Sequence, residues 1–396
     1  MALSDAPTAK APKWLELTCF ALIVAQATYL VAAAFNSLWI AAPDGHGAVT
    51  DFVNVWAAGK LTLQGLSASA YDWPAHKAME EVAIGHAFDG YFGWHYPPMF
   101  LFAAATLALC SYPLAFAGWL IVTFPAYIAA VRTIIGDRTG YVFALAFPAI
   151  LSNFIVGQNG FLTAGLLGGT LYFIELRPLL AGILLGLLTY KPHFGLLFPF
   201  VLAASGHWRV FIAAGVTAAI IAAASWLAFG TETWIAFFGS ISHTSQAFLS
   251  DGWANFGKLQ TAFGLTRVFG GSETMAWALQ ATVALAVAAA VISIWRSKAD
   301  RDLKAAALGV GTLLATPYLY TYDLVTLAVP LAFLIRLGRR DGFLLHEIPA
   351  IAFACALIAV FPFLTLPVGF AAVAIVAVLV VQRSLGAPEP GAVTAR

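Results

Sequence analysis

The sequence predicts an all-α integral membrane protein, and three observations support this fold class. Hydrophobic residues make up 61% of the 396 residues and charged residues only 10%, against about 25% charged residues in an ordinary soluble domain. Apolar runs long enough to cross a bilayer, about 20 residues each, recur from Trp14 to Gln382. Because helices satisfy their own backbone hydrogen bonds in lipid, these runs predict a polytopic helical bundle.

The apolar runs divide into about 12 predicted membrane crossings by the length rule. The run 14–42 is too long for a signal-peptide core and has no clear cleavage site, so it is predicted to be the first crossing. The run 97–131 is long enough for a short helix before a full one, but one net crossing keeps the later basic clusters on one side. The predicted crossings are 15–41, 97–131, 141–156, 161–176, 178–190, 192–206, 209–229, 274–295, 305–319, 323–337, 347–363 and 366–383.

Lysine and arginine residues cluster at the ends of the apolar runs, which predicts the orientation of the chain. Because such clusters stay on the cytoplasmic side of a plasma (inner) membrane, the two long polar loops, 43–96 and 231–272, are expected on the extracytoplasmic side. We interpret 1–396 as one domain that ends in a flexible cytoplasmic tail, 384–396. Three short polar connections are expected on the same outer face as the long loops: 157–160, 190–193 and 316–323.

Charge, cysteine and motif content exclude several classes of protein. The formal net charge of +1 gives no sign of a nucleic-acid partner, and the 3 cysteines lie far apart in apolar runs, so neither a disulfide framework nor a zinc site is indicated. Neither HExxH nor GxSxG occurs, and Gly252 to Lys258 has P-loop spacing without the magnesium-binding hydroxyl. The Asp-any-Asp pair at Asp300 and Asp302 lies in a short basic turn. A nucleotide-dependent mechanism is therefore disfavoured, and no cofactor or metal is expected.

Two helices are predicted in the loop 43–96. Bulky apolar residues of Asp51–Gln64 fall near one stripe, and Pro74 opens a second stretch with apolar residues at helical spacing. Amphipathic helices of this kind lie in the plane of the membrane interface. The alternative is a solvated loop without a catalytic role.

Asp51 is the candidate general base. It follows a predicted membrane exit and begins the first of the two loop helices, where a carboxylate is also a favourable N-cap. A carboxylate at a partly dry site is equally suited to take the proton from an acceptor hydroxyl. Spacing does not distinguish capping from catalysis.

Lys191 and His193 are the candidate donors to a phosphate group. Lys191 lies between two apolar runs on the predicted outer face, where lysines are scarce, and such a basic residue is a functional candidate. The alternative is a long side chain that reaches to the interface. His193 supplies a second possible donor, although a lone histidine is often only structural.

Further polar and aromatic residues are expected at the same face. Gln158 and Asn159 lie at a sharp break and suit sugar hydroxyls, although Asn-Gly also favours a turn on its own. The string Thr316 to Asp323 contains three tyrosines, including Tyr322, which fit either a site or an interfacial belt. Aromatic residues of the second loop, with Lys258 beyond them, suit a lipid-facing or sugar-stacking surface, or plain packing against the first loop.

The order and spacing of several short strings resemble the membrane glycosyltransferases of family 87. The strings are Asp51 through Gly59 followed by Gly65 and Tyr71-Asp72, then Tyr96-Pro97-Pro98, Gly157-Gln158-Asn159, Ala181-Gly182 with Lys191-Pro192, and Thr316-Pro317 with Tyr322-Asp323.

The resemblance implies a GT-C fold and a polyprenol-phosphate-mannose-dependent α-mannosyltransferase. It also implies a catalytic aspartate in the first extracytoplasmic loop, which maps onto Asp51. Some members carry histidines after the Ser/Thr-Pro pair that help to bind the carrier phosphate. Here Tyr318 to Asp323 holds no histidine, so that role is not carried over, and Lys191 or His193 is expected to supply the cation.

Two hypotheses of function follow. The first is an inverting transfer of a sugar, which the resemblance suggests is mannose, from a polyprenyl-phosphate donor to a lipid or glycan acceptor within glycolipid biosynthesis. The second is a transporter or lipid flippase, which would place ionisable groups near the bilayer midplane. In the first hypothesis Asp51 is catalytic, Lys191, His193 and Tyr322 bind the donor phosphate, and a third set binds sugar or acceptor. That set comprises Gln158, Asn159, Tyr96 and Lys258.

Overall fold

The computed structural model describes residues 13–253 and 255–386, and within them it confirms the all-helical fold. The α-helices of the first half are α1 (Lys13–Phe35), α2 (Phe52–Leu63), α3 (Trp73–Ile84), α4 (Leu101–Leu107), α5 (Tyr112–Ile135), α6 (Thr139–Ala146), α7 (Ala149–Val156), α8 (Gly160–Phe173) and α9 (Pro178–Leu187). Those of the second half are α10 (Phe198–Ala204), α11 (Trp208–Ser245), α12 (Ala262–Val268), α13 (Glu273–Arg296), α14 (Arg301–Ala315), α15 (Ala328–Asp341), α16 (Glu347–Leu364) and α17 (Val368–Gly386). No β-strand forms in these residues, which contain only isolated bridges.

Seven helices in the described residues are long and apolar enough to cross a membrane, or up to 8 if the bent pair α6 and α7 is one span. Four further apolar helices, Pro98–Leu107, Gly160–Phe173, Pro178–Tyr190 and Pro192–Ala204, are shorter than the hydrocarbon core. The predicted count of about 12 is therefore approximate. It differs because proline residues at the starts of short helices divide the middle of the chain.

Burial separates a central layer from a peripheral one. In the 18-residue apolar stretch of each helix, only 11% of the residues are buried in α1 and in Trp208–Ser250, whereas 78% are buried in Thr321–Asp341. Nearly every residue of α14 is also buried, where it packs against α8, α13, α15 and α17. The peripheral helices present large exposed apolar side chains, such as Phe20 and Leu227, which suit contact with lipid tails.

The two helices predicted in the first loop form as α2 and α3. Asp72 caps α3 by accepting a hydrogen bond from the backbone N–H of Ala75, and Pro74 stands in its first turn. Nine of the 12 residues of α2 are buried, because it packs against α3 and α4. This helix therefore positions residues inside the protein and presents little surface to a membrane interface.

The predicted second loop, 231–272, begins with helix instead of loop. A break at Gly230 (φ 81°, ψ 170°) divides α11, and the chain then resumes helix to Ser245. The apolar residues Phe237 and Ile241, four positions apart, lie on one face of this second half. The first three residues of the predicted tail, 384–386, are the last residues of α17. Residues 387–396 lie outside the described residues.

The run 97–131 contains two helices, α4 and α5, and the turn between them is followed by Pro113 in the first turn of α5. With 7 residues, α4 is too short to cross a bilayer by itself. Its backbone lies close to α2, since a Cβ on Gly59 would stand 2.0 Å from the carbonyl oxygen of Ala104. The absence of a side chain at Gly59 therefore sets the distance between these helices.

Gly59→Ala is expected to destabilise the protein by about 1–3 kcal/mol, because the added methyl group meets backbone that cannot move aside without repacking. The midpoint of thermal unfolding in detergent measures this change. Gly118→Ala is the matched control, since a Cβ there meets no atom within 4 Å. A Gly59→Ala midpoint at or above that of the control would contradict this account of the packing.

Candidate active site

One cavity of about 810 Å³ opens where the irregular segments of the bundle meet. Its wall comes from the start of α2, the segment 90–97, the breaks at 158 and 190–193, the second half of α11 and the string 318–323. Seven of the eight site residues predicted from the sequence line it: Asp51, Tyr96, Gln158, Lys191, His193, Lys258 and Tyr322. The polar connections expected to share one face therefore do converge.

Asp51 immediately precedes α2, and its side chain makes no capping hydrogen bond. The capping alternative is thus wrong, because the residue has helical backbone angles (φ −57°, ψ −24°) and its carboxylate lies in the cavity. The next residue, Phe52, stacks on Phe116 of α5 with ring centroids 4.8 Å apart. This packing fixes the position of the carboxylate relative to the bundle.

Two hydrogen bonds connect the carboxylate of Asp51 to Gln158 and, through it, to Tyr96. The Nε2 of Gln158 donates to Oδ2 of Asp51 over 3.3 Å, and the hydroxyl of Tyr96 donates to Oε1 of Gln158 over 3.0 Å. Gly157 allows this approach, since it has φ 67° and a Cβ there would stand 2.7 Å from Cβ of Phe52. The tight Gly-Gln-Asn turn is therefore a means of bringing Gln158 to the carboxylate.

Burial raises the pKa of Asp51 to about 6, while the hydrogen bond from Gln158 and the positive charge of Lys258 oppose the rise. A carboxylate with this pKa is mostly ionised at neutral pH and still accepts a proton readily. This is the range in which a general base works well near neutrality.

Lys191 forms a buried ion pair with Asp323. Its Nζ lies 2.6 Å from Oδ1, and the two side chains are 5% and 2% exposed. The backbone N–H of Tyr320 also donates to the other oxygen of Asp323, over 3.4 Å. The alternative that Lys191 reaches out to the interface is wrong, because the lysine is enclosed and neutralised within the protein.

Two of the remaining predicted residues, His193 and Asn159, have side-chain polar atoms without a hydrogen-bond partner in the described residues. In the described part of the chain, Nε2 of His193 and both side-chain polar atoms of Asn159 are buried without a hydrogen-bond partner. Asn159 does not line the cavity, although it is adjacent to Gln158. Tyr322 stacks on Tyr320 with centroids 5.6 Å apart, and its backbone oxygen accepts a hydrogen bond from Asn153. The tyrosines thus form part of the wall and not an outer belt.

Sequence reasoning missed His95, which faces the same cavity next to Tyr96. Its Nδ1 shares a 3.0 Å hydrogen bond with the Thr244 hydroxyl of α11, and its ring meets Phe248 edge-on at 4.8 Å. Burial lowers the pKa of His95 to about 3, so the ring is neutral at physiological pH. The adjacent string Tyr96-Pro97-Pro98 was the available signal, but no pattern in the sequence connects His95 to Thr244.

The apolar side of the cavity comes from the second half of α11 and the segment after it. Phe237, Ile241, Phe248 and Trp253 line this side, and Trp253 meets Trp73 with centroids 5.1 Å apart. The polar residues Lys191, Tyr322 and Asp323 form the floor of the cavity. A polar floor and an aromatic wall within one cavity suit a ligand that has both a sugar and an apolar part.

The family model of Glycosyltransferase family 87 matches residues 94–317, more than half of the chain. The chain belongs to glycosyltransferase family 87. Neither the curated proteins nor the solved structures contain a match.

Membership makes this family 87 chain a multi-pass membrane glycosyltransferase, and it favours the first hypothesis over a transporter. The matched segment contains Tyr96, Gln158, Lys191 and Lys258, whereas Asp51 precedes it. The structure connects Asp51 to the matched segment, because Asp51 lies within hydrogen-bond distance of Gln158.

Gln158→Leu is expected to move the acidic limb of the pH–rate profile for sugar transfer upwards by about one pH unit. The reason is that a hydrogen bond to the ionised carboxylate of Asp51 holds its pKa down, and its loss removes that stabilisation. Gln64→Leu is the control, since Gln64 is exposed at the end of α2. An unmoved or lowered acidic limb in Gln158→Leu would contradict this role.

Lys191→Met is expected to cost about 3–5 kcal/mol of stability, because Asp323 remains as an uncompensated buried charge. The double variant Lys191→Met/Asp323→Leu should recover most of this loss. Denaturant unfolding in detergent of both single variants and the double variant measures the coupling. Additive effects of the two changes would show that the pair does not act as a unit.

Proposed function

We propose that this family 87 glycosyltransferase transfers a sugar from a polyprenyl-phosphate donor to an acceptor hydroxyl by inverting single displacement. The observation that carries the proposal is the ionisable, half-buried carboxylate of Asp51 in a cavity that is polar at its floor and aromatic on one side. The sugar is mannose in this proposal, because the short strings along the chain resemble mannosyltransferases. The acceptor is a lipid or a glycan.

Asp51 acts as the general base. It takes the proton of the acceptor hydroxyl as the oxygen attacks the anomeric carbon, and the bond from that carbon to the phosphate oxygen breaks with its electron pair on the phosphate. The hydrogen bond from Gln158 orients the carboxylate and keeps it ionised before the reaction. Positioned general bases contribute about 10²–10⁴ in rate.

The polar groups around Asp51 bind the sugar and the acceptor. Gln158 and Tyr96 offer amide and hydroxyl groups, which suit hydrogen bonds to sugar hydroxyls, whereas Asn159 is buried outside the cavity and is not assigned this role. We expect His193 and Tyr322 to donate to the phosphate, since both line the cavity and Nε2 of His193 has no hydrogen-bond partner in the described residues.

The lipid tail of the donor explains why the site belongs to a membrane protein. Phe237, Ile241 and Phe248 give the cavity an apolar wall on the side of α11, a helix with mostly exposed apolar side chains. A polyprenyl chain along this wall would stay in an apolar environment while its phosphate reaches the polar floor. By the positive-inside rule, the cavity opens to the extracytoplasmic side of the plasma membrane.

Asp51→Asn is expected to lower the rate of sugar transfer by about 10²–10⁴, because the amide cannot accept the proton. Labelled polyprenyl-phosphate mannose and a crude lipid extract, with purified protein in nanodiscs, provide the assay. In the wild type, activity should fall as the pH drops through about 6, where Asp51 becomes protonated.

Asp89→Asn is the matched control, since Asp89 is an exposed carboxylate of the same loop region. It should retain the wild-type rate and pH profile. A folded Asp51→Asn protein with near-normal turnover would remove Asp51 from the mechanism.

A further inference from the structure

Six cavity-lining side chains in the described residues belong to acidic or basic residue types. They are Asp51, His95, Lys191, His193, Lys258 and Asp323. The phosphodiester of a polyprenyl donor carries one negative charge, and that charge increases on the phosphate as the sugar leaves. The cavity therefore needs a cation that is not already neutralised.

Lys191 does not meet this need. Its Nζ lies 2.6 Å from Asp323, with both side chains buried. Drawing the lysine towards another anion would leave Asp323 buried without its partner, which is costly. The pair as a whole brings no net charge to a ligand.

Lys258 can supply a cation that is not already neutralised. Its side chain lines the cavity and is exposed, and it forms no ion pair within the described part of the chain. Its positive charge also opposes the rise that burial causes in the pKa of Asp51, and both residues line the same cavity. We infer that Lys258 is the cation that binds the phosphate of the donor. This inference rests on the proposed function.

The backbone beneath Lys258 is held by a buried glutamine. The side chain of Gln260 donates to the carbonyl oxygen of Gly257 over 2.8 Å and accepts from the backbone N–H of Gly369 over 2.7 Å. The backbone N–H of Gln260 donates to the carbonyl oxygen of Leu319 over 2.7 Å. Gln260 thereby joins the Lys258 segment to the tyrosine string and to the start of α17.

Close backbone contacts restrict the same segment further. A Cβ on Gly257 would stand 2.0 Å from the carbonyl oxygen of Thr365, and the backbone N–H of Gly257 donates to Oδ1 of Asn255. Leu259 forms an isolated bridge with Tyr320. Lys258 is therefore an exposed side chain on a fixed backbone, close to Tyr320, in a cavity that Asp51 also lines. Gln260 is a positioning residue for it.

In this arrangement the charges balance through the reaction. The proton of the acceptor moves to Asp51, and the electron pair of the broken bond remains on the polyprenyl phosphate. The ammonium group of Lys258 donates hydrogen bonds to that phosphate and offsets its added charge.

The test compares binding of a polyprenyl monophosphate with binding of the uncharged polyprenol of equal length, with the full chain in nanodiscs. Wild type should prefer the phosphate, and Lys258→Gln should weaken phosphate binding by about tenfold while polyprenol binding stays unchanged. Lys258→Arg should keep most of the preference. Lys298→Gln, a change at an exposed lysine in the turn between α13 and α14, should behave as wild type.

A measurement on the wild type supports the same test without a variant. Added salt should reduce its preference for the phosphate, because an exposed cation is screened and an enclosed pair such as Lys191–Asp323 is not. A full phosphate preference in Lys258→Gln would overturn the role of Lys258 and leave the proposed function intact. A wild type that binds phosphate and alcohol equally would instead contradict the donor class, and with it this subsite.

Discussion

The buried ion pair between Lys191 and Asp323 connects the two irregular segments on which the cavity depends. These residues are 132 positions apart, yet their contact fixes the break after α9 against the string that leads into α15. Around this pair, Tyr322 and Tyr190 take fixed places in the wall. A charged pair of this kind is costly to bury and costlier to break, so the two segments are held in one arrangement.

The pair also decides how charge is distributed in the cavity. Because Asp323 neutralises Lys191, the floor of the cavity is polar without being strongly cationic. Asp51 stands beside this neutral floor, with Gln158 on one side and the charge of Lys258 nearby. A base and a cation thus line one cavity, which suits a reaction that moves a proton to the base and negative charge towards the cation.

The sequence predicted the parts of the site that local pattern can reveal. Asp51 and Gln158 are polar residues at breaks between apolar runs on one predicted face, and the structure places them within a hydrogen bond of each other. The pairing of Lys191 with Asp323 could not be predicted in this way, since no local periodicity relates residues so far apart. Lys191 was singled out in the sequence and Asp323 lies in a noted string, but nothing in the sequence connects the two.

The fold shows the same division. Composition together with the recurring apolar runs predicted a helical membrane protein, because so many apolar side chains cannot be buried in a soluble domain of this size. The number of crossings was less certain, because segments such as α10 are apolar but too short to span a bilayer. The continuation of α11 beyond Gly230 was also missed, since polar Thr231 and Glu232 follow the glycine and resemble a loop.

The anomeric configuration of the product tests the central claim most directly. Purified wild-type protein would be given an anomerically pure polyprenyl-phosphate mannose, and the new glycosidic bond would be assigned by NMR. Attack on the anomeric carbon by a hydroxyl that Asp51 deprotonates predicts a product of inverted configuration. A product that retains the configuration of the donor would contradict single displacement and the role of Asp51 as its base.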